Sequence, residues 1–265
     1  MNAVSRHASF LQSFAIQARV LHALFMREII TRYGRDNLGV LWLVGEPMIF
    51  TLGVATLWSA AGLVHATNIP VVAFAVTGYS SVLMWRNATS QCSVGIEQNK
   101  PLLFHRSVLI VDVFFTRIAL EIVGATTSFI LLSFFFIFIG WMPVPDDLML
   151  VIEGWLMLAW FGASLAVLVG GGTAFSSIVH RLWHPFAYLL FPMSGAAFMV
   201  DWLPKRLQDA VLYLPMVHGV EMLRQGYFGK AVRTHYDIGY MAVCCLVLSL
   251  CGMYVVREAS RRVEH

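Results

Sequence analysis

The run from Val108 to Gly140 constrains the fold of this chain more than any other feature. It carries only three charged residues, Asp112, Arg117 and Glu121, all in its first half. A helix that crosses the roughly 30 Å hydrocarbon core of a bilayer needs about 20 mainly apolar residues, and this run exceeds that length. We therefore expect a transmembrane helix. Its first turns, with Arg117 and Glu121 at i,i+4 spacing, are expected to project into an aqueous or headgroup zone.

The composition of the whole chain also indicates a lipid environment. Of the 265 residues, 58% are hydrophobic and 12% are charged, whereas soluble domains carry roughly 25% charged residues. A soluble protein of this size could not cover so much apolar surface. The formal net charge of +3 is small and dispersed along the chain, so we expect no nucleic acid among its partners.

Six segments are long and apolar enough to cross a membrane. They are continuously apolar rather than alternating, which favours helices over a transmembrane β-barrel. The sequence therefore predicts an all-α integral membrane fold in a single domain over residues 1–265. The six predicted spans are Gly39–Leu63, Ile69–Ala88, Val108–Gly140, Gly154–Val179, Trp183–Val200 and Ile238–Val256.

The positions of Lys and Arg orient these spans, because cytoplasmic loops are enriched in both. Five arginines precede the first span, whereas the connections "VHATNIP" and "WMPVPDDLM" contain no Lys or Arg. This pattern predicts that both termini are cytoplasmic. The segment 201–237 is an exception, because it carries five basic residues although six spans would place it outside.

The residues before the first span form a distinct element. Apolar side chains in Phe10–Tyr33 recur at spacings of three, four and seven, with arginines between them. This pattern predicts an amphipathic helix at the cytoplasmic membrane surface, within an interfacial segment 10–36. It is either a surface anchor that orients the first span or a mobile lever that docks a cytoplasmic partner.

The stretch "LYLPMVHGVEMLRQGYFGK" precedes the last span and is too interrupted to be a span itself. Its apolar residues recur at near-helical intervals, which predicts short re-entrant or periplasmic helices buried against protein. Pro215, His218, Glu221 and Arg224 are its candidate residues, with Glu221 and Arg224 as a stabilising charge pair at an outer mouth. No third ligand follows the His-x-x-Glu spacing, so no metal site is predicted.

Three blocks of the sequence resemble one transporter family. "REIITRYGRDNLGVLWLVGEP" is similar to the entry motif of type-2 ABC export permeases, specifically those that export capsular polysaccharide. "NKPLLFHRSVLIVDVFFTRIALE" and "LPMVHGVEMLRQGYF" resemble later blocks of the same family, in the same order, so the likeness covers nearly the whole chain. The candidate residues of the gate helix and membrane entry are Arg27, Glu28, Arg32, Tyr33, Arg35, Trp42, Glu46 and Pro47.

The resemblance implies a channel-forming permease subunit in the bacterial inner membrane. Such a subunit pairs with a second copy of itself, binds two separate ABC ATPase subunits, and moves a lipid-linked, anionic capsular polysaccharide. The family further implies a periplasmic or inner-membrane polysaccharide co-polymerase and an outer-membrane export protein as partners. The chain has no G-x-x-x-x-G-K-[ST] phosphate loop. We therefore expect no enzyme activity and no cofactor in this chain, with ATP and Mg²⁺ on the partner subunits.

The resemblance also assigns a role to the segment after the second predicted span. In the family this segment is a short coupling helix that inserts into a groove of the ATPase, whereas its composition alone would predict a solvated loop. The coupling residues are Glu97, Gln98, Asn99, Lys100, Pro101, Leu102 and Leu103.

Glu46 is the least settled of the candidate residues, because an ionisable group inside an apolar span is costly without a partner. It either gates the channel by interacting with the arginine cluster or occupies a polar niche beside a kink at Pro47.

Three alternative functions fit the sequence less well. The first is type-2 ABC export of another surface glycan, such as O-antigen or teichoic acid. An ion-driven secondary transporter would need inward-facing carboxylates and internal repeats, and only Glu46 supports it. A membrane enzyme ranks last, because the sequence has no GxSxG or HExxH motif and no paired carboxylates in a span.

Overall fold

The computed structural model describes residues 10–33, 39–60, 69–103 and 108–263. In these ranges all regular secondary structure is helical, which confirms the prediction of an all-α fold for this part of the chain. Short 3₁₀ turns lie at Val200–Trp202 and Gly229–Ala231. The α-helices are α1 Phe10–Tyr33, α2 Gly39–Ala60, α3 Val71–Ser93, α4 Gly95–Gln98, α5 Lys100–Leu103, α6 Ile110–Ile139, α7 Leu148–Gly172, α8 Ser177–Met193, α9 Lys205–Val211, α10 Pro215–Phe228 and α11 Ile238–Val263.

Three of the described helices are long and apolar enough to cross a membrane. They are α6, α7 and the part of α11 from Ile238 to Arg262. At 1.5 Å per residue, the 30 residues of α6 span about 45 Å, more than the hydrocarbon core needs. The total of six spans stays a prediction.

Helix α7 begins at Leu148, six residues before the predicted start of the fourth span. The cause is an N-cap, since the Asp147 carboxylate accepts hydrogen bonds from the N–H groups of Met149 (2.9 Å) and Leu150 (3.1 Å). Glu153, one residue before the predicted start, lies inside the helix with an exposed side chain.

A turn at residues 173–176 separates α7 from α8, within the range predicted for the fourth span. Ser176 accepts a hydrogen bond from the N–H of Ile178 at 3.2 Å and so starts α8 six residues before the predicted Trp183. Helix α8 ends at Met193, and Gly195 follows with φ of 83°, a conformation that favours glycine. Residues 194–200 therefore lie outside the helix, contrary to the predicted fifth span.

Glycines allow neighbouring helices to approach α7 closely. A Cβ atom added at Gly154 would lie 2.7 Å from the backbone nitrogen of Leu223 on α10, and one at Gly162 would lie 2.9 Å from Cα of Trp85 on α3. A Cβ at Gly171 would meet α11 in the same way. Small residues at such crossings maximise packing where lipid supplies no hydrophobic driving force, so α7 is the central helix of the bundle.

The bundle has two distinct ends, named here after an arginine at each. At the Arg117 end lie α4, α5, the start of α6 and the ends of α7 and α11, since Gly170 packs against Cys92 and Phe114. At the Arg224 end lie residues 140–147, α9 and α10. There the hydroxyl of Tyr227 donates to the carbonyl of Pro143 at 2.8 Å.

Candidate functional site

The Arg117 side chain is the centre of a buried polar cluster at the Arg117 end. It is only 3% exposed, although it belongs to a helix that is apolar over most of its length. One Nη group donates to the carbonyl of Gln91 at 2.5 Å, and the other donates to the side-chain oxygen of Gln98 at 2.7 Å. Nε lies 3.2 Å from the Glu28 carboxylate. One guanidinium thus connects α1, the end of α3, α4 and α6.

Asp112 gives α1 a second attachment to α6. Its side chain is 5% exposed and accepts a hydrogen bond from the Leu109 N–H at 3.0 Å, at the N-terminus of α6. A carboxylate there also interacts favourably with the helix dipole. The other carboxylate oxygen accepts a hydrogen bond from the Gln17 amide. Gln17 and Glu28 are 11 residues apart, so α1 is held along about 16 Å of its length.

Asn99 fixes the predicted coupling segment from the inside. It lies between α4 and α5 and is 2% exposed. Its amide nitrogen donates to the carbonyl of Gly95 at 2.9 Å, and its amide oxygen accepts from the Arg27 guanidinium at 2.8 Å. The predicted coupling helix is therefore two single turns joined at a buried asparagine.

The other side of this segment faces outward. Glu97, Lys100 and Pro101 are exposed, and Leu102 and Leu103 are partly buried. Residues 95–103 thus combine an exposed charged surface with a buried polar anchor, an arrangement suited to receiving a partner and passing its motion inward.

Two of the candidate entry residues, Arg27 and Glu28, belong to this cluster. Arg32, Tyr33, Trp42, Glu46 and Pro47 lie in α1 or α2, but their side chains are outside the described residues, as is Arg35 altogether.

Sequence reasoning missed Asp112 and Arg117 as members of the site. Both side chains are buried against α1 and the predicted coupling segment, and the projection of this end of α6 into an aqueous or headgroup zone stays a prediction. The signal was present in the sequence: an ionisable group in an apolar run is costly, and burial requires a partner. The partner itself, 95 residues away for Asp112, could not be identified from spacing.

At the Arg224 end, His218 uses both ring nitrogens in structural hydrogen bonds. Nδ1 accepts from the N–H of Asp237 at 2.9 Å, and Nε2 lies 2.8 Å from the carbonyl oxygen of Leu212. This geometry fits a neutral imidazole that donates through Nε2. His218 therefore connects the segment before α10 to the start of α11.

Glu221 accepts two backbone hydrogen bonds. One carboxylate oxygen accepts from the N–H of Val200 at 3.2 Å and the other from the N–H of His235 at 3.0 Å. Burial raises the pKa of the Glu221 carboxyl, while these two N–H groups and the charges of Arg224 and His235 oppose the rise.

Arg224 is fully buried and donates hydrogen bonds to the segment that follows α8. Its guanidinium donates to the carbonyl oxygens of Gly195 (2.5 Å), Ala196 (2.7 Å) and Phe198 (2.7 Å) and lies 3.8 Å from the centre of the Phe74 ring. Burial lowers the pKa of Arg224 to about 9, against the attraction of Glu221, so the side chain stays cationic at neutral pH.

The predicted charge pair has a different geometry from the one expected. Among the ion pairs of the described residues, none joins Glu221 to Arg224. Each side chain instead binds backbone groups within residues 195–200, one as acceptor and one as donor. Pro215 occupies the first turn of α10, where its missing N–H costs no hydrogen bond.

Comparison with known proteins gives this arrangement a family. A family model described as ABC-2 type transporter matches residues 19–228. The capsule polysaccharide export inner-membrane protein CtrC of Neisseria meningitidis serogroup A is 42% identical over 256 residues, 97% of each chain. The corresponding protein BexB of Haemophilus influenzae is 40% identical over 97% of each chain. The polysialic acid transport protein KpsM of Escherichia coli is 28% identical over 92% of this chain and 95% of its own. This chain belongs to the ABC-2 type transporter family.

Proposed function

We propose that the chain is the permease subunit of an ATP-driven exporter that moves capsular polysaccharide across the bacterial inner membrane. The near-full-length similarity to CtrC and BexB, both named for capsule polysaccharide export, supports the substrate class. The mechanism is supported by one observation: the coupling segment is exposed on one face and is attached to α1 and α6 on the other.

The proposed topology has six crossings, by α2, α3, α6, α7, α8 and α11. The Arg117 end then faces the cytoplasm, since α11 ends there with three arginines, and both termini lie on that side. A second copy completes the channel, and two separate ABC ATPase subunits dock on the Arg117 end. ATP and Mg²⁺ belong to those subunits. A periplasmic co-polymerase and an outer-membrane export protein continue the path of a lipid-linked, anionic polymer.

Movement of the ATPase subunits first reaches the exposed side chains of the coupling segment. Because Asn99 binds Arg27 and Gln98 binds Arg117, a displacement of this segment pulls α1 and α6 together. Helix α1 is therefore a lever in this proposal rather than only a surface anchor. The residues at the Arg224 end hold the backbone at 195–200 in place while the bundles part.

Charge reversal in the coupling segment tests this proposal. Lys100→Glu places a new negative charge on the exposed face without touching Asn99 or Gln98. We expect it to abolish capsule at the cell surface and to reduce the recovery of the ATPase subunit with the tagged permease at least about tenfold. Lys205→Glu, at an exposed lysine of α9 on the opposite end, is the matched control and leaves both readouts unchanged.

If the Lys100→Glu variant exported capsule normally with the ATPase still bound, the proposed coupling role of this segment would be wrong. Export that persists with no ATPase recovered from wild-type membranes would contradict the ABC mechanism itself.

A further inference from the structure

Helices α6, α7 and α11 enclose an apolar groove beside the Arg117 end. Its volume is about 870 Å³, at the upper end of the roughly 300–1,000 Å³ typical of ligand pockets. Phe115, Ile118 and Val123 on α6 line one wall, and Met253 on α11 lines the other. Phe115, Val123 and Met253 are each more than half exposed, so nothing in the described part of the chain fills the groove.

The groove has a single charged side chain in its lining, at its end. Arg257 and Ser260, one turn apart on α11, are its polar lining residues. The neighbouring arginines have protein partners: Arg261 lies 3.3 Å from the Glu258 carboxylate, and the Arg262 guanidinium lies 4.4 Å from the centre of the Phe175 ring. Arg257 makes no hydrogen bond or ion pair with the residues that the structure describes.

The dimensions of the groove match one leaflet of a bilayer. Along α6 its lining runs from Val111 to Val123, 13 residues whose 12 steps rise about 18 Å. Half of the roughly 30 Å hydrocarbon core is about 15 Å. The polar residues lie where α11 leaves its apolar run, which is the level of the lipid headgroups.

We propose that this groove binds an anionic membrane phospholipid, with one acyl chain along α6 and the phosphate on Arg257. A guanidinium binds phosphate oxygens through two parallel N–H groups. The Ser260 hydroxyl donates to the carbonyl of Val256 at 3.1 Å, so Arg257 is the donor to the phosphate in this proposal. Basic pockets between transmembrane helices on the cytoplasmic side are suited to such lipids. The assignment to the inner leaflet rests on the proposed topology, whereas the binding chemistry does not.

The bound lipid has a structural consequence for the coupling site. Phe114 and Ile118 line the groove and also pack in the core next to the coupling segment. An acyl chain between α6 and α11 would therefore fix the position of the helix that carries Asp112 and Arg117.

Native mass spectrometry of the purified, detergent-solubilised protein tests this proposal, with phosphatidylglycerol and phosphatidylcholine of the same acyl chains as probes. We expect the wild-type protein to prefer phosphatidylglycerol by about fivefold, the factor that one basic residue near a headgroup contributes. Arg257→Gln is expected to abolish that preference. Ala163→Phe, which fills the groove from α7, is expected to reduce the binding of both lipids.

Arg261→Gln is the matched control, because Arg261 is an exposed arginine of the same helix that does not line the groove. It is expected to keep the full preference. The thermal unfolding midpoint is a second readout: phosphatidylglycerol should raise it for wild type and Arg261→Gln but not for Arg257→Gln.

Equal binding of the two lipids by wild type, or an unchanged preference in Arg257→Gln, would overturn the proposal. A crosslink from a cysteine at position 115 to a second copy of the chain, in place of lipid, would also overturn it. Neither readout involves ATP or export, so failure here would leave the proposed transport function standing.

Discussion

The Arg117 guanidinium holds three partners through three different nitrogen atoms, a geometry that lysine cannot reproduce. We expect Arg117→Lys to keep the charge near Glu28 but to lose the hydrogen bonds to Gln91 and Gln98. Each lost charge-assisted hydrogen bond should cost roughly 1.5–3 kcal/mol of the free energy of unfolding. Capsule export should fall sharply while the protein still inserts, as measured by surface immunoblot and membrane fractionation.

Arg261→Lys is the control for this change, because Arg261 is exposed and makes a single ion pair. If Arg117→Lys exported capsule at the level of Arg261→Lys, the Arg117 cluster would not be needed to transmit motion from the coupling segment to α1 and α6.

Arg224 illustrates a structural rather than a mechanical role for a buried charge. Arg224→Met would leave the carbonyl oxygens of Gly195, Ala196 and Phe198 without their donor, at about 1–3 kcal/mol each. We expect a large drop in the thermal unfolding midpoint, measured by tryptophan fluorescence in detergent. Arg233→Met, at an exposed arginine of the same end, should change it little.

A similar midpoint for these two methionine variants would contradict the assignment of Arg224 as the residue that holds the segment after α8.

At the scale of the element, the crossing of α7 and α10 depends on paired glycines. A Cβ added at Gly154 would lie 2.7 Å from the backbone of Leu223, and one at Gly226 would lie 2.6 Å from the backbone of Val151. Gly154→Ala must therefore push the helices apart, and we expect it to lower the free energy of unfolding by about 1–3 kcal/mol.

Gly53→Ala in α2 is the matched control for Gly154→Ala. Among the described residues, no atom outside the adjacent turns of α2 lies within 4 Å of a Cβ at Gly53, so the gain in helix propensity, up to about 1 kcal/mol, should dominate. Thermal unfolding of both variants in the same detergent measures the difference, and equal effects would show that the crossing tolerates separation.

Apolar runs and periodicity predicted the existence and type of the long elements well. Helix α1 begins and ends at the predicted residues Phe10 and Tyr33, and α6 ends beside Gly140, whose φ of 82° stops the helix. The starts of α7 and α8 differ from the predicted span limits, because capping side chains set them: Asp147 accepts two backbone hydrogen bonds and Ser176 accepts one. Hydropathy averaged over many residues does not detect such caps, because one polar side chain changes the average little.

The candidate site was predictable only in part, and the reason is distance along the chain. Family likeness marked Glu28 and the 97–103 segment, but nothing in their spacing predicted that Arg117 would join them. In the same way, i,i+3 spacing predicted a local pair for Glu221 and Arg224, whereas the structure gives both backbone partners more than 10 residues away.

For the whole molecule, the proposed topology places the two ends of the bundle on opposite sides of the membrane. In a chain whose four cysteines are replaced, we expect a membrane-impermeant maleimide to label Asp209→Cys in intact cells. It should label Lys100→Cys only after permeabilisation, because α6 and α7 each extend further than the hydrocarbon core is thick. Labelling of both positions from one side would contradict the six crossings.

During synthesis, α7 enters the membrane before α10 has been made. Until Leu223 has left the ribosome, the surface of α7 at Gly154 faces lipid instead of a helix. The backbone of α7 then lacks the close contact with α10 on that side. We therefore expect nascent chains that stop before Pro215 to be treated as unfinished and removed by membrane proteases, however many spans they have already inserted. Because Gly154 and Gly226 leave room that only the packed pair of α7 and α10 fills, the early helices are expected to be stable only once the late ones have been made.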